Sequence, residues 1–229
     1  MTSRTLFITG ASSGIGAQTA RQAVADGWNV GLFARSEEAL AELAAELGDA
    51  VLVLPGDATD RGQQADALDK LAGHFGSVDA AFANAGIGID QPGTQAGDPE
   101  EWARLVQINI MGVLYTAHAS MPHLRKAKGH FVVTGSLAGR THVKGSVYSA
   151  SKWFVHGYAG NLALEMAEWG GRCTVIAPGM VDTPFFDNPA EGRLQPPDVA
   201  DSVMMALNAP PRANVREIFV TPLDTSGHH

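Results

Sequence analysis

Tyr148 and Lys152 stand four residues apart in the stretch Tyr148-Ser149-Ala150-Ser151-Lys152, a spacing that puts both on one face of a helix. An ammonium beside a phenol stabilises the phenolate and draws its pKa down from about 10, which predicts a group able to give and take a proton near neutral pH. The same spacing occurs on any amphipathic face, so the pair gains meaning only from its surroundings. Upstream, Ser136 follows the apolar run His130 to Thr134. A hydroxyl at the C-terminal edge of a sheet can hydrogen-bond a substrate oxygen, or merely cap a turn. A second stretch with chemical content is Thr9-Gly10-Ala11-Ser12-Ser13-Gly14-Ile15-Gly16. Gly10 permits a tight turn, Gly14 lets backbone amides reach a pyrophosphate, and Gly16 lets the following helix pack close. Ser12, Ser13 and Ile15 belong to the same candidate phosphate-binding turn. Its Gly-x-x-x-Gly-x-Gly spacing is not G-x-G-x-x-G, and no Gly-Lys-Ser/Thr follows to make a P-loop.

Such residues need a frame that brings them together. Short runs apolar on both faces recur at Thr5–Thr9, Asn29–Ala34, Ala50–Leu54, Ala80–Ala83, His130–Thr134, Cys173–Ala177 and Glu217–Thr221, and each reads as a buried strand. Segments with helical spacing lie between them: Ile15–Asp26, Ser36–Leu47, Arg61–Phe75, Glu100–Arg125, Val147–Trp169 and Asp198–Asn208. Regular alternation predicts parallel strands joined by right-handed helical crossovers, hence an α/β fold. The expectation is one doubly wound Rossmann-type domain over residues 1–229, with a seven-stranded parallel sheet flanked by helices. The loops Ile87–Pro99 and Pro178–Pro197 are long enough to carry substrate contacts, and Ser226–His229 read as a frayed end.

Composition narrows the partners. Lys plus Arg number 16 against 24 Asp plus Glu, a net charge of −8. No basic run exceeds the Arg125, Lys126, Lys128 cluster, which argues against a nucleic-acid ligand. No apolar stretch approaches the roughly 18 residues of a membrane helix, and no signal-type flank precedes the first strand, so a cytoplasmic protein without membrane contact is expected. Cys173 is the only cysteine and reads as a small buried apolar residue. His118, His123, His130, His142 and His156 show no metal-ligand spacing and read as structural or solvated, so no metal is expected.

Taken in order along the chain, the glycine turn, Asn84-Ala85-Gly86, Ser136, the Tyr148 to Lys152 motif and Pro178-Gly179-Met180-Val181-Asp182-Thr183 resemble the short-chain dehydrogenase/reductase family over essentially the whole sequence. The resemblance implies catalytic roles for Asn109, Ser136, Tyr148 and Lys152. Asn109 would hold a water in a proton relay behind the lysine, and Lys152 would also bind the nicotinamide ribose. It further implies that Asp57, with Ala58, lies near the adenine, that Asn84, Ala85 and Gly86 line the adenine-ribose side, and that Pro178, Gly179, Val181 and Thr183 meet the nicotinamide carboxamide. Asp57 could instead cap the next helix. Where an NAD-using relative carries an acid at the end of strand two, this chain has Ala34, followed by Arg35 and Ser36. A planar guanidinium and a hydroxyl suit a 2′-phosphate, which predicts NADP (NADPH) as cofactor.

The expected activity is NADP-dependent hydride transfer between nicotinamide and a carbonyl or secondary-alcohol substrate, with Tyr148 as general acid and base. The alternatives are a dinucleotide-binding sensor that has lost the reaction, and a sugar-nucleotide epimerase, whose relatives add a C-terminal substrate domain. Gly88 to Pro92, Leu137 to Val143, Met180, Phe185 and Phe186 are the expected substrate walls. A modest lid over an open cleft is expected, with Phe185 and Phe186 favouring an apolar or aromatic ketone. The helices over 100–125 and 147–169 match those of the family's dimer interface, so a homodimer or homotetramer is expected.

Overall fold

A computed structural model describes residues 3–89, 91, 93–185 and 191–223. Pro92, Phe186 and the 226–229 tail, named above, lie outside the described residues. The sheet has seven parallel strands in the order β3-β2-β1-β4-β5-β6-β7: β1 Thr5–Thr9, β2 Asn29–Ala34, β3 Val51–Pro55, β4 Ala80–Ala83, β5 His130–Thr134, β6 Arg172–Pro178 and β7 Glu217–Val220. The helices are α1 Gly14–Ala25, α2 Glu37–Leu47, α3 Arg61–Phe75, α4 Pro99–Val106, α5 Val113–Ala127, α6 Val147–Ala167 and α7 Pro196–Asn208. Strand β1 pairs with β2 on one side and β4 on the other. The order therefore reverses between β1 and β4, which opens a crevice at their C-terminal ends, where ligands bind in open α/β sheets.

Side-chain alternation along the strands explains the two layers of core. Leu6 and Ile8 of β1 join Leu32, Phe82 and Ile176 under α1, α2 and α7. Phe7, between them, joins Phe33, Phe131, Leu68 and Leu162 under α3, α5 and α6. Apolar residues on both faces of each strand are what a sheet covered on both sides requires.

The expected single helix over 100–125 is interrupted. Between α4 and α5 the chain forms a π-helical segment, Gln107–Gly112. The wider turn inserts about one extra residue and leaves the Asn109 amide bonded sideways to the backbone of Ile87. An apolar periodicity running straight through Ile108, Ile110 and Val113 carries no sign of such an insertion. Helix α7 starts two residues earlier than expected because Pro196 and Pro197 occupy its first turn, where a missing N–H costs nothing. No described helix is long and apolar enough to cross a membrane.

Candidate active site

The glycine turn leaves β1 and enters α1 beneath the crevice. Gly10 and Gly14 take φ of +68° and +52°, the left-handed region that side chains disfavour. A Cβ on Gly16 would lie 2.2 Å from the Gly10 carbonyl oxygen, so only glycine lets α1 start this close to the turn. Helices α2, α3, α4 and α6 each begin with a side chain bonded to their exposed amides, from Ser36, Asp60, Asp98 and Ser146. At α1 the N-cap Ser13 makes no such bond and the first turn holds no acid. The amides and dipole of α1 are thereby left for an external anion, so the turn fits a dinucleotide pyrophosphate. Ser12 is half-buried, Ser13 exposed, and Ile15 packs against the core.

At the crevice centre, Asn84 ties three strand ends together. Its Nδ2 donates to the Thr9 and Gly10 carbonyls, and its Oδ1 accepts from the Thr134 hydroxyl at 3.1 Å. The Asn84 and Ala85 amides both donate to Thr9 Oγ1. Asp57 does not cap α3. Its Oδ1 accepts from the Thr59 amide and hydroxyl, an Asx turn, while Asp60 caps the helix. The Ala58 carbonyl accepts from Gln64. At the end of β2, Arg35 is exposed with no hydrogen bond or ion pair among the described residues, and Ser36 is the N-cap of α2.

Helix α6 carries Tyr148 and Lys152 on one face, as spaced. Lys152 is 5% exposed. Its ammonium donates to the Thr134 carbonyl at 2.8 Å and lies 5.7 Å from the centre of the Tyr148 ring. Burial pulls the Lys152 pKa down to about 8. The expected lowering of the Tyr148 pKa is not what the protein alone produces. Burial pushes the phenol up, and a hydrogen bond with Ser136 opposes that shift only in part, so the phenol stays protonated at neutral pH. Ser136 begins the short turn Leu137–Gly139 and accepts from the Ala138 amide. Asn109, 1% exposed, accepts from the Ile87 amide, donates to the Ile87 carbonyl, and reaches Ser151 on α6 at 3.3 Å. Its Oδ1 lies 3.3 Å from where a Cβ on Gly86 would stand, and the Lys152 ammonium lies 3.8 Å from the same point.

The segment after β6 closes over the glycine turn. Pro178 ends the strand, and the Gly179 amide donates to Val220. Val181 pairs with Leu194, and Leu194 bonds both Met180 and Asp182 through the backbone. That clip pins the base of the loop. The Thr183 methyl would meet a Cβ on Gly14 at 3.1 Å, which brings the segment to the candidate phosphate turn. Phe185 tilts over Tyr148, with ring centres 5.7 Å apart, and faces Gly88 across the crevice.

Beyond the expected residues, His156 lies buried directly behind Ser136. Its sequence signal is a second four-residue step, from Lys152, after the one from Tyr148 to Lys152. Among the described residues no group of three or more His, Cys, Asp or Glu is placed to hold a metal ion.

Comparison with known proteins agrees with the fold. The short chain dehydrogenase family profile matches residues 4–193. An uncharacterised oxidoreductase of Staphylococcus saprophyticus is 37% identical over 225 residues, covering 94% of this chain and 96% of the relative. The 3-ketoacyl-(acyl-carrier-protein) reductase of Brucella melitensis, solved with NADH, superposes with a TM-score of 0.88 at 26% identity, covering 95% and 96% of the two chains. An alcohol dehydrogenase of the archaeon Thermococcus sibiricus, solved with 5-hydroxy-NADP, gives 0.88 at 28% identity over 95% of each chain.

Proposed function

The chain belongs to the short-chain dehydrogenase family, and we propose that it is an NADP-dependent oxidoreductase acting between a carbonyl and a secondary alcohol, with residues 1–229 working as one domain. The observation that carries the reading is the meeting of Tyr148, Ser136 and Lys152 at the C-terminal ends of β4 and β5, opposite the uncapped start of α1. The residues present fit a nicotinamide dinucleotide. The α1 amides, Gly10, Ser12, Ser13, Gly14, Ile15 and Gly16 would hold its pyrophosphate. Asp57, Ala58, Asn84, Ala85 and Gly86 would line its adenosine half. Pro178, Gly179, Val181 and Thr183 would meet the carboxamide, with Lys152 on the ribose. Bound there, the cofactor supplies or accepts the hydride at nicotinamide C4.

The chain's own residues handle the oxygen. Ser136 and Tyr148 present hydroxyls to the substrate oxygen, which orients it and polarises the carbon. A phenol kept protonated by burial suits the reducing direction. As hydride reaches the carbonyl carbon, the Tyr148 proton moves to the developing alkoxide, and the phenolate left behind faces the Lys152 ammonium. Asn109 fixes the Ile87 backbone beside Lys152, where a proton relay to solvent would run. Phe185, packed against both Tyr148 and Gly88, favours an apolar or aromatic ketone. The reading places the reaction in the cytoplasm, on a small-molecule substrate and without membrane contact, and the −8 charge argues against nucleic acid as partner.

The test is NADPH oxidation across a panel of aliphatic and aromatic ketones. Replacing Tyr148 by Phe should lower turnover by at least about 100-fold, within the range for lost general acid catalysis, while NADPH still binds by calorimetry. Near-normal turnover in that variant would refute the mechanism. NADPH binding without turnover of any ketone would instead favour a sensor.

A further inference from the structure

We propose that His156, oriented by Glu217, is a positioning residue that holds the Ser136 hydroxyl toward Tyr148. This rests on the reductase reading above. Tyr148, Lys152 and His156 recur every four residues, so all three face the end of β5 from α6. The side chain of His156 is fully enclosed, and both ring nitrogens have partners. Nδ1 bonds Glu217 Oε1, on β7. Nε2 lies 3.3 Å from the Ser136 amide nitrogen and 3.1 Å from the Ser136 carbonyl oxygen. Arg140 grips the same carboxylate at 2.8 Å, fixing Glu217 from its solvent side.

The surroundings are shaped to the imidazole. A Cβ on Gly135 would sit 2.5 Å from Nε2, and one on Gly139 would sit 2.6 Å from Cδ2. Neither glycine has a positive φ, so backbone conformation does not require glycine at either place. Bulk does: the ring stands closest at both places, with Val175 beside it at Gly135 and the Lys152 backbone at Gly139. Glycines on both sides of Ser136 thus make room for one side chain whose hydrogen bond ends on the Ser136 peptide.

Tautomer decides what that bond is. Burial is the largest influence on His156 and lowers its pKa, with Arg140 acting the same way; Glu217 and the hydrogen bond to the Ser136 backbone oppose both without reversing the shift. The neutral ring then carries its proton on Nδ1, donates to Glu217, and offers the Nε2 lone pair to the Ser136 N–H. The Ser136 carbonyl is already satisfied by the Gly139 amide. Without the imidazole the Ser136 N–H is buried and unpaired, and the turn bearing the hydroxyl loses its anchor to α6. Misplacement of a substrate-orienting group by as little as about 1 Å can cost roughly 100-fold in rate.

The experiment compares the unmodified protein with His156→Leu, which fills space without a hydrogen bond, and His156→Gln, whose Oε1 can accept the Ser136 N–H. Expected in His156→Leu are faster amide exchange across Gly135 to Gly139 and a kcat lowered by about tenfold or more. NADPH affinity should change less than about threefold, since the turn lies outside the candidate phosphate site. His156→Gln should recover most of the kcat. Unchanged kcat and exchange in His156→Leu, or a Gln variant no better than Leu, would overturn the proposal. Should His156→Leu not fold, Glu217→Ala on the partly exposed edge strand releases the tautomer instead. Its kcat should drop several-fold in a variant that still melts cooperatively, and an unaltered kcat there overturns the role. An unmodified protein that reduces no ketone sinks the reductase reading and this role with it, whereas an active protein indifferent to His156→Leu sinks this role alone.

Discussion

Lys152 is an ammonium held almost out of water, and its cost to the fold can be measured. Its pKa falls from 10.5 to about 8 on burial. Between those values the unfolded chain binds a proton that the folded chain does not, so stability rises with pH across that window. Below about 8 both states are charged, and the full penalty applies. A shift of this size is worth about 3 kcal/mol, partly offset by the bond to the Thr134 carbonyl. Lys152→Met should therefore raise the melting temperature at pH 7 by about 4 °C, while lowering both turnover and NADPH affinity. The gap between variant and parent should close as pH climbs from 8 towards 10. A variant less stable than its parent at pH 7 would show that the Thr134 bond outweighs desolvation. Arg35 supports a second prediction at this scale. It is exposed at the end of β2 beside Ala34, where no acid stands to hold a 2′-hydroxyl, and in the proposed reading it would meet a 2′-phosphate. A charge-assisted hydrogen bond of about 1.5 to 3 kcal/mol predicts at least about tenfold higher kcat/KM with NADPH than with NADH. Ala34→Asp combined with Arg35→Ala should reverse much of that preference. Equal use of both cofactors by the unmodified protein would remove Arg35 from the role.

The glycine turn and the segment after β6 act together as elements. Gly14 sits in the left-handed region with the Thr183 methyl 3.1 Å from any added Cβ. Gly14→Val therefore strains the turn and pushes the 178–183 segment away from the start of α1, besides crowding the pyrophosphate path. A folded variant with a lowered melting temperature and no NADPH binding detectable by calorimetry is expected. Unchanged affinity would mean that the turn serves only the fold. The π-helical segment works similarly: rotating Asn109 out of α-helical register joins the π-helical segment to the Ile87 loop through two bonds of 2.9 Å.

At the scale of the whole molecule, the outer face of α6 is unusual for a solvent face. Phe154 and Tyr158 stack there, Leu164 is 66% exposed, and a Cβ on Gly157 or Gly160 would meet nothing. Mid-helix glycine costs about 1 kcal/mol relative to alanine, and nothing among the described residues requires it at either position. Flatness between apolar side chains suits a second copy of this chain. Sedimentation at micromolar concentration should show a dimer or tetramer, and Leu164→Glu should shift it to a smaller species with an unchanged far-ultraviolet spectrum. A monomeric parent would remove the assembly from the reading.

Much of this protein could be read along the chain. Strands, helices and the alternation that makes the sheet parallel follow from runs of Val, Leu, Phe and Ala that can only be buried on both sides. The Tyr148 and Lys152 pair, the glycine turn and Ser136 were legible because their spacing is local, within one helix, one turn or one strand end. Three things needed the folded chain. Asp57 was ambiguous until Asp60 took the cap of α3 and left Asp57 to Thr59. The phenol was expected to acidify beside Lys152, but burial, which no local spacing encodes, pushes it the other way. His156 shares the helix face of Tyr148 and Lys152, yet its partners Ser136 and Glu217 lie 20 and 61 residues away. Periodicity reports which face of a segment turns inward. Only the packing of β5, β7 and α6 against one another decides what that face meets.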